Sequence, residues 1–145
     1  MVNINQKAPV VVSGKIQIKA KPQKVWSVLT DIDRWNQWLK NVSQSKLNGE
    51  LMPNTTFDWK AGGTRIHSKL HTVVPWSFIG WTGQTMSIQA VHNWSMSETG
   101  DSTEVFVEES MEGWPAKLFK GYLKKMLNKD MLQSLAWLKE ECEKK

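Results

Sequence analysis

The chain has 145 residues, of which 40% are hydrophobic and 23% charged, and its formal net charge is +5. That length suits one domain with its own core and is short for two, and the composition is that of an ordinary globular protein. The one cysteine, Cys142, excludes an internal disulfide, and no apolar run approaches the roughly 18 residues that a membrane-spanning helix needs.

The first element in the chain is a strand. After Gly14, residues 10–20 (VVVSGKIQIKA) alternate Ile16, Ile18 and Ala20 with Lys15, Gln17 and Lys19. Residues 1–9 are expected to form a flexible tail before it. They carry no apolar h-region, which with the lone cysteine predicts a cytoplasmic protein. Pro22 then stands where a helix starts, and Val25, Trp26 and Leu29 recur at helical spacing, so KPQKVWSVL predicts a short helix. Beyond Asp31 and Asp33, DRWNQWLKNV predicts a second, with Trp35, Trp38 and Leu39 on one face.

Six strands are expected next. VSQSKLN (42–48) is weakly patterned, and TTFDW (55–59) places Phe57 and Trp59 on one side. KAGG (60–63) is a turn whose glycines supply positive φ. TRIHSKLHTVV sets Ile66, Ser68, Leu70 and Thr72 against Arg65, His67, Lys69 and His71, until Pro75 interrupts. SFIGWTGQT, SIQAVHNWSM and, after an ETGDS turn, TEVFVEESM complete a meander of antiparallel hairpins. Pro115 opens one long helical pattern running through Leu118, Phe119, Tyr122, Leu123, Met126, Leu127, Met131, Leu132, Leu135 and Leu138. Its wide apolar arc predicts deep embedding on one side, and Gly121 predicts a close approach of another element or a ligand. A curled sheet must cover its apolar face with that helix, and a cavity opens where the two diverge.

At this point the chain resembles the START-like proteins of the SRPBCC superfamily, the polyketide cyclase/dehydrase and lipid-transport family. The resemblance rests on KAKPQKVWSVLTDIDRWNQWL near the start and on IGWTGQT, AVHNWSM and EESMEGW before the long helix. It covers roughly residues 10–140 and implies a single START-like domain over 1–145. The implied fold is α+β, the helix-grip (Bet v 1-like) fold: a curled antiparallel sheet around a long C-terminal helix, with two short helices after the first strand. It also implies an internal pocket for an apolar small molecule, and leaves the activity open.

Strand parity nominates the pocket residues. The inward sets give Phe57, Trp59, Ile66, Leu70, Ile79, Trp81, Ala90, His92, Trp94, Val107 and Glu109, joined by Tyr122 and Met126 of the helix. Nine tryptophans in so small a domain suggest a cavity wall as well as a core. A hairpin closing at Gly100-Asp101 pairs residues whose numbers sum to about 201. Met96 then faces Val105, Trp94 faces Val107, and His92 faces Glu109, whereas a two-residue slip would pair His92 with Val107 and leave Glu109 diagonal to it. This depends on the parity of the last strand, because Phe106 belongs to the opposite set. A His beside a buried carboxylate lowers the cost of burying it. The pair suits three roles: tying two strands, anchoring a ligand, or acid–base chemistry.

Other motifs are bland. His67 and His71 share the polar outer face, and nothing at ligand spacing joins them, so no metal and no cofactor are expected. AGGT lacks the Lys-Ser/Thr of a phosphate loop.

The leading expectation is binding or transport of a hydrophobic small molecule, a lipid or a polyketide-like or aromatic compound, with catalysis expected less than binding. The first alternative is a cyclase/dehydratase-type enzyme using His92 and Glu109 as an acid/base pair, with Tyr122 as second proton donor. The second alternative is an interaction module whose lysine-rich C-terminal helix meets an acidic partner or membrane surface. The expected partner is a hydrophobic ligand, with no nucleic acid and no stable membrane insertion, for a monomer or weak homodimer.

Overall fold

Alternation of apolar and polar residues over long stretches leaves each strand one face to bury, and seven strands bury it together. A computed structural model describes all 145 residues. Strands β1 (Val10–Ile18), β2 (Val42–Leu47), β3 (Thr56–Ala61), β4 (Thr64–Val74), β5 (Phe78–Thr85), β6 (Ile88–Thr99) and β7 (Ser102–Glu112) form one antiparallel sheet. Its order is β1-β7-β6-β5-β4-β3-β2, so the first strand closes onto the last and the rest meander. Helices α1 (Pro22–Thr30), α2 (Trp114–Leu118) and α3 (Lys120–Cys142) complete the chain, with a 3₁₀ helix at Ile32–Gln37 between α1 and β2. This is the α+β helix-grip architecture.

α1 starts on Pro22, whose missing N–H and fixed φ suit a first helical turn. It buries Val25, Trp26 and Leu29. The expected second α-helix is shorter and tighter than its spacing suggests. Arg34 leaves helical geometry at φ −113°, ψ 16°, and the 3₁₀ segment ends at Gln37. A tertiary anchor accounts for this: the Trp35 indole N–H donates to the Leu29 carbonyl at 2.9 Å, pulling the ring into the core.

β4 also departs from strict alternation. A bulge between Leu70 and Thr72 keeps Leu70 opposite Trp81 but moves Val73 opposite Ile79. The inward assignment of Thr72 is thereby corrected. Its hydroxyl lies 2.8 Å from His71 Nδ1, on the face that carries Asn93. One extra residue in a strand reverses the parity of everything after it.

The expected single long helix is two. α2 ends at Phe119, where φ −111°, ψ 30° interrupts the helix, and α3 begins at Lys120. Deep embedding holds only for the C-terminal half of α3, where Met131, Leu135, Leu138 and Cys142 are buried. There β1 passes so close that a Cβ on Gly14 would sit 3.1 Å from Leu135 Cδ1. Gly121, by contrast, meets nothing within 4 Å, so no other element of the chain approaches it closely.

The segment expected as a flexible tail lies along the outer face of the sheet. Asn93 Nδ2 donates to the Val2 carbonyl at 2.9 Å, the Val2 N–H donates to His71 Nδ1 at 3.2 Å, and the Asn5 N–H donates to Ser110 Oγ at 3.3 Å. Ile4, within the segment, is buried.

Candidate functional site

The sheet and α3 touch at one end and part at the other, and the gap is a cavity of about 620 Å³. That volume is typical of small-molecule sites, which run roughly 300–1,000 Å³. Its wall is mostly apolar and carries six of the nine tryptophans: Trp35, Trp38, Trp59, Trp81, Trp94 and Trp114. Trp35 organises one flank. Its ring meets Trp59 edge-on at 5.2 Å and Phe57 edge-on at 5.5 Å.

The β6–β7 hairpin places the polar centre. It turns at Gly100, with φ +65°, and its register holds the sum of 201 along its whole length. Met96 faces Val105, Trp94 faces Val107 and His92 faces Glu109. Val105 and Val107 are fully buried while Phe106 is exposed, which settles the parity of β7. His92 Nδ1 stands 2.8 Å from Glu109 Oε1, and both side chains are largely buried, at 17% and 9% exposure.

This geometry selects the tautomer. A carboxylate only accepts, so in the neutral ring Nδ1 carries the proton and Nε2 the lone pair. Nε2 is buried and has no hydrogen-bond partner within the protein. Indoles flank the ring, Trp94 stacked at 5.6 Å and Trp81 tilted at 4.7 Å. Asn41 Oδ1 and Trp94 Nε1 are likewise buried without a protein partner. All three orphaned atoms thus belong to residues of this one wall. Unpaired buried polar atoms cost roughly 1–3 kcal/mol each, and here the three fall on residues of a single cavity wall.

Of the residues nominated from sequence, Trp59, Ile66, Trp81, Ala90, His92, Trp94, Glu109, Tyr122 and Met126 line the cavity. Phe57, Leu70, Ile79 and Val107 do not; each is fully buried in the core behind the wall. Parity assigns a residue to the inner face without saying whether side chains or space lie above it. Tyr122 sits at the mouth, 69% exposed, a poor position for a proton donor to His92.

Asp130 was missed. It lines the cavity from α3, between Leu127 and Met131, and burial pushes its carboxyl above the usual range, against the opposing charge of Lys129 and with a smaller push from the Glu109 carboxylate. A carboxyl inside an apolar helical arc is the same kind of signal that singles out His92 on its strand.

The other histidines belong elsewhere. His67 Nδ1 pairs with Asp58 Oδ1 at 2.7 Å, beside a polar groove of about 400 Å³ over β2–β4. His71 Nε2 meets Asn93 Oδ1 at 2.8 Å under the N-terminal segment.

The model of the polyketide cyclase / dehydrase and lipid transport family matches residues 9–143. No curated protein matches the sequence. Among solved structures, the chain is similar to the hypothetical protein jhp0584 of Helicobacter pylori, with TM-score 0.85, 17% identity, and 99% of this chain and 98% of that one covered. It is similar to the Zhui aromatase/cyclase of Streptomyces sp. R1128, with TM-score 0.81, 12% identity, and 92% and 93% covered. It is also similar to the di-domain aromatase/cyclase BexL, with TM-score 0.76, 16% identity, and 96% of this chain and 52% of that one covered. At these identities the likeness is one of fold. The expectation that catalysis ranks below binding is nevertheless corrected. A buried His92–Glu109 pair with an unengaged Nε2, in a fold that aromatase/cyclases share, argues for catalytic potential.

Proposed function

The chain belongs to the polyketide cyclase/dehydrase and lipid transport family, and from that premise we propose that it is a cyclase/dehydratase-type enzyme acting on a hydrophobic, ring-bearing or polyketide-like molecule held in the cavity. The observation that carries this reading is the orphaned His92 Nε2, oriented by Glu109 and flanked by two indoles.

The steps follow from those groups. Nε2 takes the proton from a carbon next to a substrate carbonyl, and Glu109 stabilises the imidazolium that forms. The Trp94 indole N–H, free of protein partners, donates to the carbonyl oxygen on which charge develops. Asp130, whose carboxyl burial raises above the usual range, in its acid form gives its proton to a β-hydroxyl, which leaves as water as the C=C bond forms. The substrate has then lost one proton to His92 and one hydroxide, and transfer of the imidazolium proton back to Asp130 resets the site. In the cyclase variant the enolate carbon attacks a second carbonyl of the same chain, and the same two groups move the protons. Asn41 Oδ1 accepts from a hydroxyl and fixes the register of the substrate, while Trp59 and Trp81 cover its flat faces.

The test is a β-hydroxy ketone or poly-β-ketone mimic, with dehydration followed by the rise in conjugated absorbance and binding followed by tryptophan quenching. His92→Gln should lower kcat about 10²–10⁴-fold with modest change in binding. Saturable binding with no turnover by the wild type would leave the cavity a carrier site.

A further inference from the structure

The cavity mouth has a surface that the chemistry inside does not use. Met86, Trp114, Phe119 and Tyr122 line the cavity and yet are 51–78% exposed, and Leu118 beside them is 66% exposed. These residues form one rim because the β5–β6 turn abuts the start of α2. The Ser87 carbonyl packs so closely on Gly113 that a Cβ there would lie 2.2 Å from it, and Gly113 takes φ +113° to make room. Met86 and Ser87 themselves hold positive φ, at 46° and 66°, and Met86 stands 78% exposed. Large apolar side chains gathered at one opening are unlike the scattered exposure of an ordinary surface.

Along the segment that carries α2 and the start of α3, the charge has one sign. Residues 113–129 hold five lysines, Lys117, Lys120, Lys124, Lys125 and Lys129, and no acidic residue. All five are exposed and none enters an ion pair. Helical periodicity puts Lys120 and Lys124 on one side of the Phe119–Tyr122–Met126 arc and Lys125 and Lys129 on the other. Two carboxylates flank the segment in sequence: Glu112, which accepts from Asn5 Nδ2 at 3.1 Å, and Asp130, which lines the cavity.

We propose that this rim docks the cavity mouth onto an anionic lipid bilayer, so that an apolar ligand passes between bilayer and cavity without crossing water. Trp, Phe, Tyr and Leu bracketed by lysines are the composition of an interfacial segment: the apolar tips enter the headgroup boundary and the ammonium groups meet lipid phosphates. A bilayer fits better than a folded acidic partner, because it meets the tips of α2, α3 and the β5–β6 turn together without needing shaped pockets for them. The docking is peripheral, since no helix is long and apolar enough to cross a membrane.

The experiment is co-sedimentation with vesicles of phosphatidylcholine alone or mixed with phosphatidylglycerol, at low and high salt. The wild type should partition onto the mixed vesicles at low salt, onto neutral ones far less, and lose most binding at high salt. Lys120→Glu/Lys124→Glu/Lys125→Glu should reduce partitioning about a hundredfold or more. Trp114→Ala should reduce it at both salts, and Lys144→Glu/Lys145→Glu, at the far end of the chain, should leave it unchanged. These positions are exposed, so circular dichroism should report an intact fold for each variant. Equal partitioning onto neutral and anionic vesicles, or an unaffected triple variant, overturns the proposal. So does capture of an acidic helical protein by a wild type that ignores vesicles, which would assign the rim to a protein partner. Turnover of a soluble substrate without vesicles is indifferent to all of these outcomes and tests the cavity chemistry separately.

Discussion

The two halves of α3 carry the same kind of apolar pattern and do opposite things with it. From Met131 to Cys142 the helix lies against β1, with Leu135 and Leu138 at 1% exposure or less and Gly14 trimmed to admit Leu135. From Lys120 to Leu127 the helix stands off the sheet. Its apolar residues line the cavity or its rim, and Tyr122 is 69% exposed. One end is closed by packing and the other is held open, so the packed core and the cavity are housed in different parts of one helix–sheet pair. A hydrophobic arc therefore states that a face avoids water, and leaves open whether protein or ligand covers it.

The sharpest break between the two ends should be in activity. Glu109→Gln removes the charge that orients and supports His92, and kcat should fall about 10²–10⁴-fold while thermal stability changes little, because the amide still fills the space. Near-equal losses for Glu109→Gln and His92→Gln, without additivity in the double variant, would show that the two act as a unit.

The closed end should dominate stability. Leu135→Ala empties a fully packed site and should cost about 2–5 kcal/mol by urea unfolding. Tyr122→Ala at the open end should stay within about 0.5 kcal/mol. Equal penalties would mean that the mouth is packed shut in solution.

Cys142 probes the same closed end by reactivity. Burial pushes its thiol up to about 12. The folded protein should therefore resist a thiol reagent at pH 8, and urea should release the reaction at once. The sign of the linkage is definite: the folded state holds this proton more tightly than the unfolded one. The associated stability is whole below about pH 9 and is lost as pH rises from there towards 12.

The smallest effect concerns the N-terminal segment, outside both ends. Burial lowers the pKa of His71, whose Nδ1 accepts from Val2 and whose Nε2–H donates to Asn93. A lowered base binds its proton better when unfolded, so this contribution is present above pH 6.5 and fades as pH falls below it. After correction for the intrinsic pH dependence of exchange, the protection factors of the residue 2–5 amides should fall in acid while the β6–β7 amides stay protected. His71→Gln should flatten that dependence.

Much of this was legible in the chain itself. The order of elements, the turns at Gly62-Gly63 and Gly100-Asp101, and the pairing of His92 with Glu109 follow from local rules. Alternation has a period of two, and a tight hairpin carries its register outward without help from anything distant. Tertiary context decided the rest. A bulge at Thr72, a buried indole hydrogen bond from Trp35 and a break at Phe119 each overrode a correct local pattern. The cavity lay beyond any pattern, because Leu70 and Trp81 share a strand-pair register and differ only in what stands opposite. Which inward residue meets space, and that Asp130 comes to the same wall as His92, depend on where the sheet curls away from α3. That curvature is a sum over seven strands and belongs to no single residue.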